Sequence, residues 1–189
     1  MPREIEVKYR INDPQAVLTR LRACGARSVS FAMETNRIFD TPDRDLLTGD
    51  RGLRVRESQS LDGAPAKATL TYKGPREAGT AKSREEIETV TADAAAMAAI
   101  LARLGFAEII VYEKRRETWR LGPCEIVLDE LPRLGWWLEI EGPNLAAIQA
   151  LQEQLALPDA ARVGETYVEI AARYGDQDEH GRRALRFEE

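Results

Sequence analysis

Histidine is almost missing from this chain of 189 residues: there is one, His180. That one sits in a polar stretch, Gly175 to Glu189, where no chemical role is expected, so catalytic triads built on histidine are not expected either. Cysteine is nearly as scarce. Cys24 and Cys124 do not form a metal-ligand spacing, and Cys124 reads as a small buried apolar residue, so the expectation is reduced thiols and a cytoplasmic protein. There is no Gly-x-Ser-x-Gly element and no phosphate loop of the Walker type. No apolar run approaches the roughly 20 residues of a membrane-spanning helix. Met1-Pro2-Arg3 leads straight into a strand pattern, without a signal peptide, so no membrane partner is expected. A surplus of positive charge is missing too. The formal net charge is −5, which argues against a general nucleic-acid surface and confines any anion site to a local concentration of Arg and Lys.

What is present is charge on alternate residues. Side chains in an extended strand point to opposite faces in turn. In Glu4-Ile5-Glu6-Val7-Lys8, the two acids and the base therefore share one face, and Ile5, Val7, Tyr9 and Ile11 share the other. The same alternation recurs. Arg54 and Arg56 share a face, Thr69, Thr71 and Lys73 oppose Ala68, Leu70 and Tyr72, and Arg84, Glu86 and Glu88 share a parity. Lys114 and Arg116 do so as well; Cys124, Ile126 and Leu128 oppose Glu125 and Asp129, and Trp136, Leu138 and Ile140 oppose Trp137, Glu139 and Glu141. Seven bases (Lys8, Arg54, Arg56, Lys73, Arg84, Lys114, Arg116) and seven acids (Glu4, Glu6, Glu86, Glu88, Asp129, Glu139, Glu141) thus fall on matched faces. One shared polar surface is the simplest account.

An open antiparallel sheet with water on one face would alternate too. Two features favour a binding surface. Arg outnumbers Lys, and its planar fork suits phosphate and carboxylate. The acids come as close pairs, Glu4/Glu6 and Glu139/Glu141, as oxygen-ligated hard cations require. Like charges crowded on one face repel, and a bound metal together with a bound polyanion would compensate both signs.

A hydrophobic content of 43% with 31% charged residues describes one globular domain, expected over residues 1–174, followed by a polar tail, 175–189, with no compelled structure. The order of elements reads β-α-β and then a meander. A strand over Arg3–Ile11 precedes a helix opened by Asp13-Pro14 and ended by Gly25. Strands are expected near Glu34–Asp40, Gly52–Glu57, Ala66–Gly74, Ser83–Val90, Ile109–Leu121, Cys124–Asp129 and Trp136–Gly142. Helices are expected from Thr91 or Asp93 to Leu104, from Asn144 to about Leu155, and from near Glu165. The fold class is therefore α+β. Eight strands is the number at which an antiparallel barrel can close around a small ligand, with the helices packed outside.

These residues resemble the CYTH superfamily, named for class IV adenylyl cyclases and thiamine triphosphatases. Glu4-x-Glu6-x-Lys8 matches its opening signature, and further blocks match in order: Leu53-Arg54-Val55-Arg56, Thr71-Tyr72-Lys73-Gly74-Pro75, Arg84-Glu85-Glu86-Ile87-Glu88, Lys114-Arg115-Arg116, Leu128-Asp129-Glu130 and Leu138-Glu139-Ile140-Glu141-Gly142. Phe39-Asp40-Thr41-Pro42 and Thr166-Tyr167 look like further family positions, and the branch resembled is that of the class IV cyclases.

The resemblance implies a closed, charge-lined antiparallel tunnel that binds a triphosphate (ATP, tripolyphosphate or thiamine triphosphate) with Mg²⁺ or Mn²⁺. Lys8, Arg54, Arg56, Lys73, Arg84, Lys114 and Arg116 would grip phosphate oxygens, with Lys8, Lys73 and Arg84 as the catalytic bases of the set. Glu4, Glu6, Glu139 and Glu141, with Asp129, Glu86 and Glu88, would supply the metal ligands. Three functions follow: an adenylyl cyclase, a triphosphate hydrolase, or a non-catalytic polyphosphate- or nucleotide-binding module. Retention of both acidic pairs argues against the last, and the branch resembled favours the cyclase. Trp137 has inward parity and reads either as packing or as a stacking platform; Tyr167 reads either as helix packing or as a family site position. Glu85, Arg115 and Glu130 have outward parity and are expected to be solvated. A homodimer, if formed, would use the helices or the barrel exterior.

Overall fold

The computed structural model describes residues 5–76, 84–179 and 181–188; Glu4 and His180 lie outside them. The elements are β1 (Glu6–Ile11), α1 (Pro14–Ala23), β2 (Arg27–Asp40), α2 (Asp45–Thr48), β3 (Gly52–Ser60), β4 (Lys67–Lys73), β5 (Glu86–Thr91), α3 (Ala94–Arg103), β6 (Ala107–Leu121), β7 (Cys124–Leu131), β8 (Gly135–Glu141), α4 (Leu145–Gln154), β9 (Arg162–Val163), α5 (Tyr167–Tyr174), β10 (Asp176–Gln177) and β11 (Arg183–Leu185). The longer helices start where side chains can satisfy their free N–H groups. Asp13 accepts from the Ala16 N–H at 3.0 Å with Pro14 next to it, Asp93 accepts from Ala95 and Ala96, and Asn144 from Ala147. Thr166 and Glu169 form a reciprocal capping box at α5.

The architecture is α+β with an antiparallel strand path, β5-β4-β3-β2-β6-β7-β8-β1-β9. The expectation of an eight-stranded closed barrel is corrected: among the described residues β5 and β9 end the path without pairing each other. The reason is local. The middle of the free edge of β1 is taken by Arg162 and Val163, which pair with Tyr9 and Lys8, where a closing β5 would have to bond. The sheet still curls around a cavity, and α5 rather than a further ladder covers the charged face.

The alternating apolar residues of β1, β6, β7 and β8 face outward beneath α1 and α4. Tyr9, Leu21, Ile126, Leu128, Leu138, Ile140, Ile148 and Leu155 are fully buried there. A smaller cluster places Phe39 and Val55 under Leu101 of α3. The third cluster lies on the other face, where Ile38, Ile110, Tyr112 and Trp137 meet Tyr167, Ile170 and Ala171 of α5.

The residues after Tyr174, expected as a tail, carry two strands. β6 outruns β7, which leaves the edge at Ile110–Tyr112 open, and β11 fills it in parallel register. Leu185 is completely buried there, and Glu113 accepts from the Phe187 N–H. Gly175 makes this return possible, since a Cβ at that position would lie 2.5 Å from the Ala171 carbonyl oxygen and 3.1 Å from that of Ala184. Gly175→Ala should therefore lower stability by about 1–3 kcal/mol in urea melts, the usual cost of overpacking. No described helix is long and apolar enough to cross a membrane.

Candidate functional site

Residues directly opposite each other on neighbouring strands share a face, so strand register decides which charges meet. Lys8 lies opposite Glu139, Arg116 opposite Asp129, Lys114 opposite Glu34, and Lys73 opposite Glu86. These faces enclose a cavity of about 360 Å³. All seven bases singled out by strand parity line it: Lys8, Arg54, Arg56, Lys73, Arg84, Lys114 and Arg116. Of the predicted acids, Glu6 and Glu139 line it as well.

At the base of the cavity the charges are closely paired. Asp129, with no exposed surface, accepts from Arg116 through both oxygens (2.7 and 2.6 Å), from Lys114 at 3.2 Å and from the Tyr167 hydroxyl at 2.6 Å. Arg116 also reaches Glu139 at 2.9 Å, and Lys8 meets Glu139 at 3.1 Å. The Tyr167 ring lies 3.5 Å from the Lys8 Nζ and 4.5 Å from that of Lys114. This is a desolvated lattice of alternating sign, in which pairing decides ionisation. Burial works against the Glu34 carboxylate, but Arg56, Lys114 and Arg116 outweigh it and bring its pKa down to about 2. Glu139 falls to about 2 in the same way, its burial outweighed by Lys8, Arg116 and Lys114. Asp129 is held well below the usual carboxylate range by Arg116 and Lys114 despite its burial. Burial, with Arg116 adding repulsion, pushes the Lys114 ammonium down to about 8. The Tyr167 phenol is pushed up by burial and by Asp129 and Glu139, so it remains a donor.

Toward the mouth the pairing loosens. Lys73 meets Glu86 at 2.8 Å, and Arg54 lies 3.7 Å from both Glu86 and Glu88, the latter also accepting from the Thr71 hydroxyl. Arg76 bridges Asp50 at 2.8 Å and Glu169, at the start of α5, at 3.6 Å.

Strand parity missed several residues. Glu34, Asn36 and Ile38 share the inward face of β2, and that Glu-x-Asn-x-Ile alternation was the signal available. Arg51, Asp50 and Arg76 line the mouth from loops, where no period exists to reveal them. Trp137 is packing, not platform: 7% exposed, it stands edge-on to Tyr167 with Arg10 over its ring. Tyr167 lines the cavity and packs as well. Arg115 lies on the outer face as expected, paired to Glu130 at 3.0 Å and stacked on Phe187.

Could these residues hold a metal? Asp129 is committed to its donors, and Glu86 and Glu139 are held by bases. Glu6 and Glu141 face each other across β1 and β8, with Glu125 next in the row on β7. Partial burial together with Glu125, Glu6 and Glu86 pushes the Glu141 carboxyl up, an acid crowding that a cation would relieve. No described group of three ligating side chains forms a protein-only cage. Such a set fits a hard cation of the magnesium type, which takes one or two carboxylates and fills its shell with water and phosphate oxygens.

A model of the CYTH domain family matches residues 2–174. A protein of Methanocaldococcus jannaschii named a candidate adenylate cyclase is 33% identical over 138 residues, 73% of this chain and 75% of that protein. Adenylate cyclase CyaB of Aeromonas hydrophila is 29% identical over 180 residues, 90% of this chain and 85% of that protein. Among solved structures, the PH1819 protein of Pyrococcus horikoshii superposes with a TM-score of 0.78 at 27% identity, covering 90% of this chain and 98% of that one. A Hippeastrum protein, named a candidate adenylyl cyclase and found to have a dominant triphosphatase activity, shares the fold with a TM-score of 0.66 at 19% identity, over 88% of this chain and 94% of that one.

Proposed function

Because the chain belongs to the CYTH domain family, we propose that it is a divalent-cation-dependent enzyme acting on a triphosphate, and that its reaction is conversion of ATP to cyclic AMP and pyrophosphate. One observation carries the reading: seven bases, six of them from four strands (β1, β3, β4 and β6) and Arg84 from just before β5, converge on one cavity in an acidic protein. That is far more positive charge than a lone phosphate or carboxylate needs, and it matches a polyanion.

The cavity also has an apolar flank, formed by Ile38, Leu47, Leu53, Ile110, Val168 and Ala172. Bare tripolyphosphate gains nothing from such a surface, whereas a base or another organic group can bury against it. The flank and the adenylate cyclase names of two relatives together favour ATP.

Phosphoryl transfer asks mainly for positioning and charge neutralisation. Arg54, Arg56, Lys114 and Arg116 hold phosphate oxygens throughout. The ribose 3′-hydroxyl gives up its proton to solvent as its oxygen forms a bond to the α-phosphorus, and the bond from that phosphorus to the bridging oxygen breaks, so negative charge grows on the departing pyrophosphate. Lys73, Arg84 and Lys8 are assigned to meet that charge. Asp129 and Tyr167 keep Lys114 and Arg116 in place. Glu6 and Glu141 are the carboxylates that would hold Mg²⁺ or Mn²⁺, whose chemistry when bound is to neutralise phosphate oxygens; Glu4 would be their neighbour in the chain.

A triphosphate hydrolase is the second reading, supported by the activity of the Hippeastrum protein with this fold. It uses the same grip with water as the nucleophile, on tripolyphosphate or thiamine triphosphate. Incubation with ATP, tripolyphosphate and thiamine triphosphate, each with Mg²⁺ or Mn²⁺ and with a chelator control, separates the two. Cyclic AMP and pyrophosphate from ATP are expected, and the chelator should stop their formation. Orthophosphate without cyclic AMP transfers the assignment to the hydrolase; no turnover of any of the three ends the enzyme reading.

A further inference from the structure

Asn36 has no exposed surface, yet neither its Nδ2 nor its Oδ1 has a hydrogen-bond partner among the described residues. Buried polar groups are nearly always paired, and leaving one unpaired is costly. This one does not stand alone. Asn36 on β2 lies directly opposite Arg56 on β3, and Arg56 lies directly opposite Thr69 on β4. The Arg56 Nε and the Thr69 hydroxyl are likewise buried without partners. Three neighbouring strands thus carry one row of unused hydrogen-bonding capacity. On the other side Asn36 faces Tyr112; Arg56 and Tyr112 line the cavity, while Asn36 and Thr69 lie beside them outside that lining, so a ligand reaches them only as the Arg56 side chain moves onto it.

The chemistry of the row says what would complete it. Phosphate oxygens only accept, so they can engage the Asn36 Nδ2, the Arg56 Nε and the Thr69 hydroxyl. They cannot engage the Asn36 Oδ1, which needs a donor. A ligand that carries a hydroxyl beside its phosphates satisfies every member of the row; a bare polyphosphate leaves one unpaired. Resting on the triphosphate reading above, we infer that the Asn36–Arg56–Thr69 row is the subsite that selects a hydroxyl-bearing triphosphate, with the Asn36 Oδ1 accepting from the ligand's hydroxyl. Asn36 is then a specificity-determining residue, kept at a cost to the stability of the ligand-free protein. Sites built to pair a substrate hydroxyl discriminate strongly against analogues that lack it, because the protein group is left unpaired.

The test measures binding and thermal midpoints of the full chain with ATP and with tripolyphosphate, both with Mg²⁺. Asn36→Leu replaces the amide by an apolar group of similar size. It should raise the ligand-free midpoint, lower ATP affinity about tenfold or more, and lower tripolyphosphate affinity by a smaller factor. Thr69→Val, which keeps the branched shape of a strand residue, should weaken both ligands by similar factors without lowering the ligand-free midpoint. A lowered midpoint with both affinities intact, in either variant, would make the row ordinary structural polarity and overturn the inference. Equal losses of both ligands in Asn36→Leu would remove the hydroxyl assignment. The readout is binding, so the absence of turnover would count against the cyclase reading and leave this one standing.

Discussion

Arg116→Leu should be the most damaging single substitution in the cavity, with a loss of about 3–5 kcal/mol, the usual cost of removing one partner from a buried ion pair. Arg116 is the shared donor of Asp129 and Glu139, so its loss strands part of two buried carboxylates at once. The pH dependence identifies the cause. In the wild type Glu34 and Glu139 have folded pKa values depressed from 4.5 to about 2, so their stabilisation is present above 4.5 and is lost as pH falls through about 2. In the variant the depression shrinks and less is lost over that window. Urea-melt stabilities of the two proteins should therefore lie far apart at neutral pH and converge in acid. Activity should vanish in parallel. Arg115→Ala is the internal control: its partner Glu130 is on the outer face and Arg115 itself is well exposed, so a change of about 0–1 kcal/mol is expected. Similar losses in the two variants would show that the faces of β6 were assigned wrongly.

Arg84→Ala should do the reverse, with a large loss of activity at nearly unchanged stability. Arg84 lines the cavity, and none of the ion pairs of the cluster at its base depends on it. If it meets charge that grows on the leaving pyrophosphate, its removal should cost about 2–4 kcal/mol of transition-state stabilisation, as for one preorganised donor in a dry site. Steady-state kinetics should then show the fall in kcat, with KM little changed. A rise in KM alone would make Arg84 a uniform binder, and a lowered melting temperature of comparable size would make it structural.

The inward faces were legible because a strand has a period of two, which a reader can follow one residue at a time. Hence Lys8, Arg54, Lys73 and Lys114 could be placed together without any knowledge of pairing. What period does not carry is register. Nothing in Leu128-Asp129-Glu130 reveals that Asp129 will lie opposite Arg116 and beneath Tyr167; three-dimensional pairing turned that expected metal ligand into an anchor for cations. Short strands are invisible for a related reason. Arg162–Val163 and Asp176–Gln177 are too brief to show any alternation, yet Arg162–Val163 takes the edge that a closed barrel would have used. Ser28 and Ser30 flank a register shift in the first half of β2, where Val29 and Phe31 alternate with serines but stay exposed and bury no face. Asp50 and Arg76 come from loops distant in sequence and meet only in the fold.

The three donors that share a single oxygen of Asp129 also constrain how this chain can change over time. Effects of substitutions within such a set do not add, since each residue's contribution depends on which others are present. Exchanging Arg116, Lys114 or Asp129 one at a time passes through proteins with a buried charge that has lost its partner, each well below the parent in stability. The Arg115–Glu130 pair on the outer face of the same strands carries no such barrier, because each can be altered while water solvates the other. Neighbouring positions of one strand, a single residue apart, therefore evolve under different rules: stepwise drift at the solvated Arg115–Glu130 pair, and concerted replacement or none within the cavity.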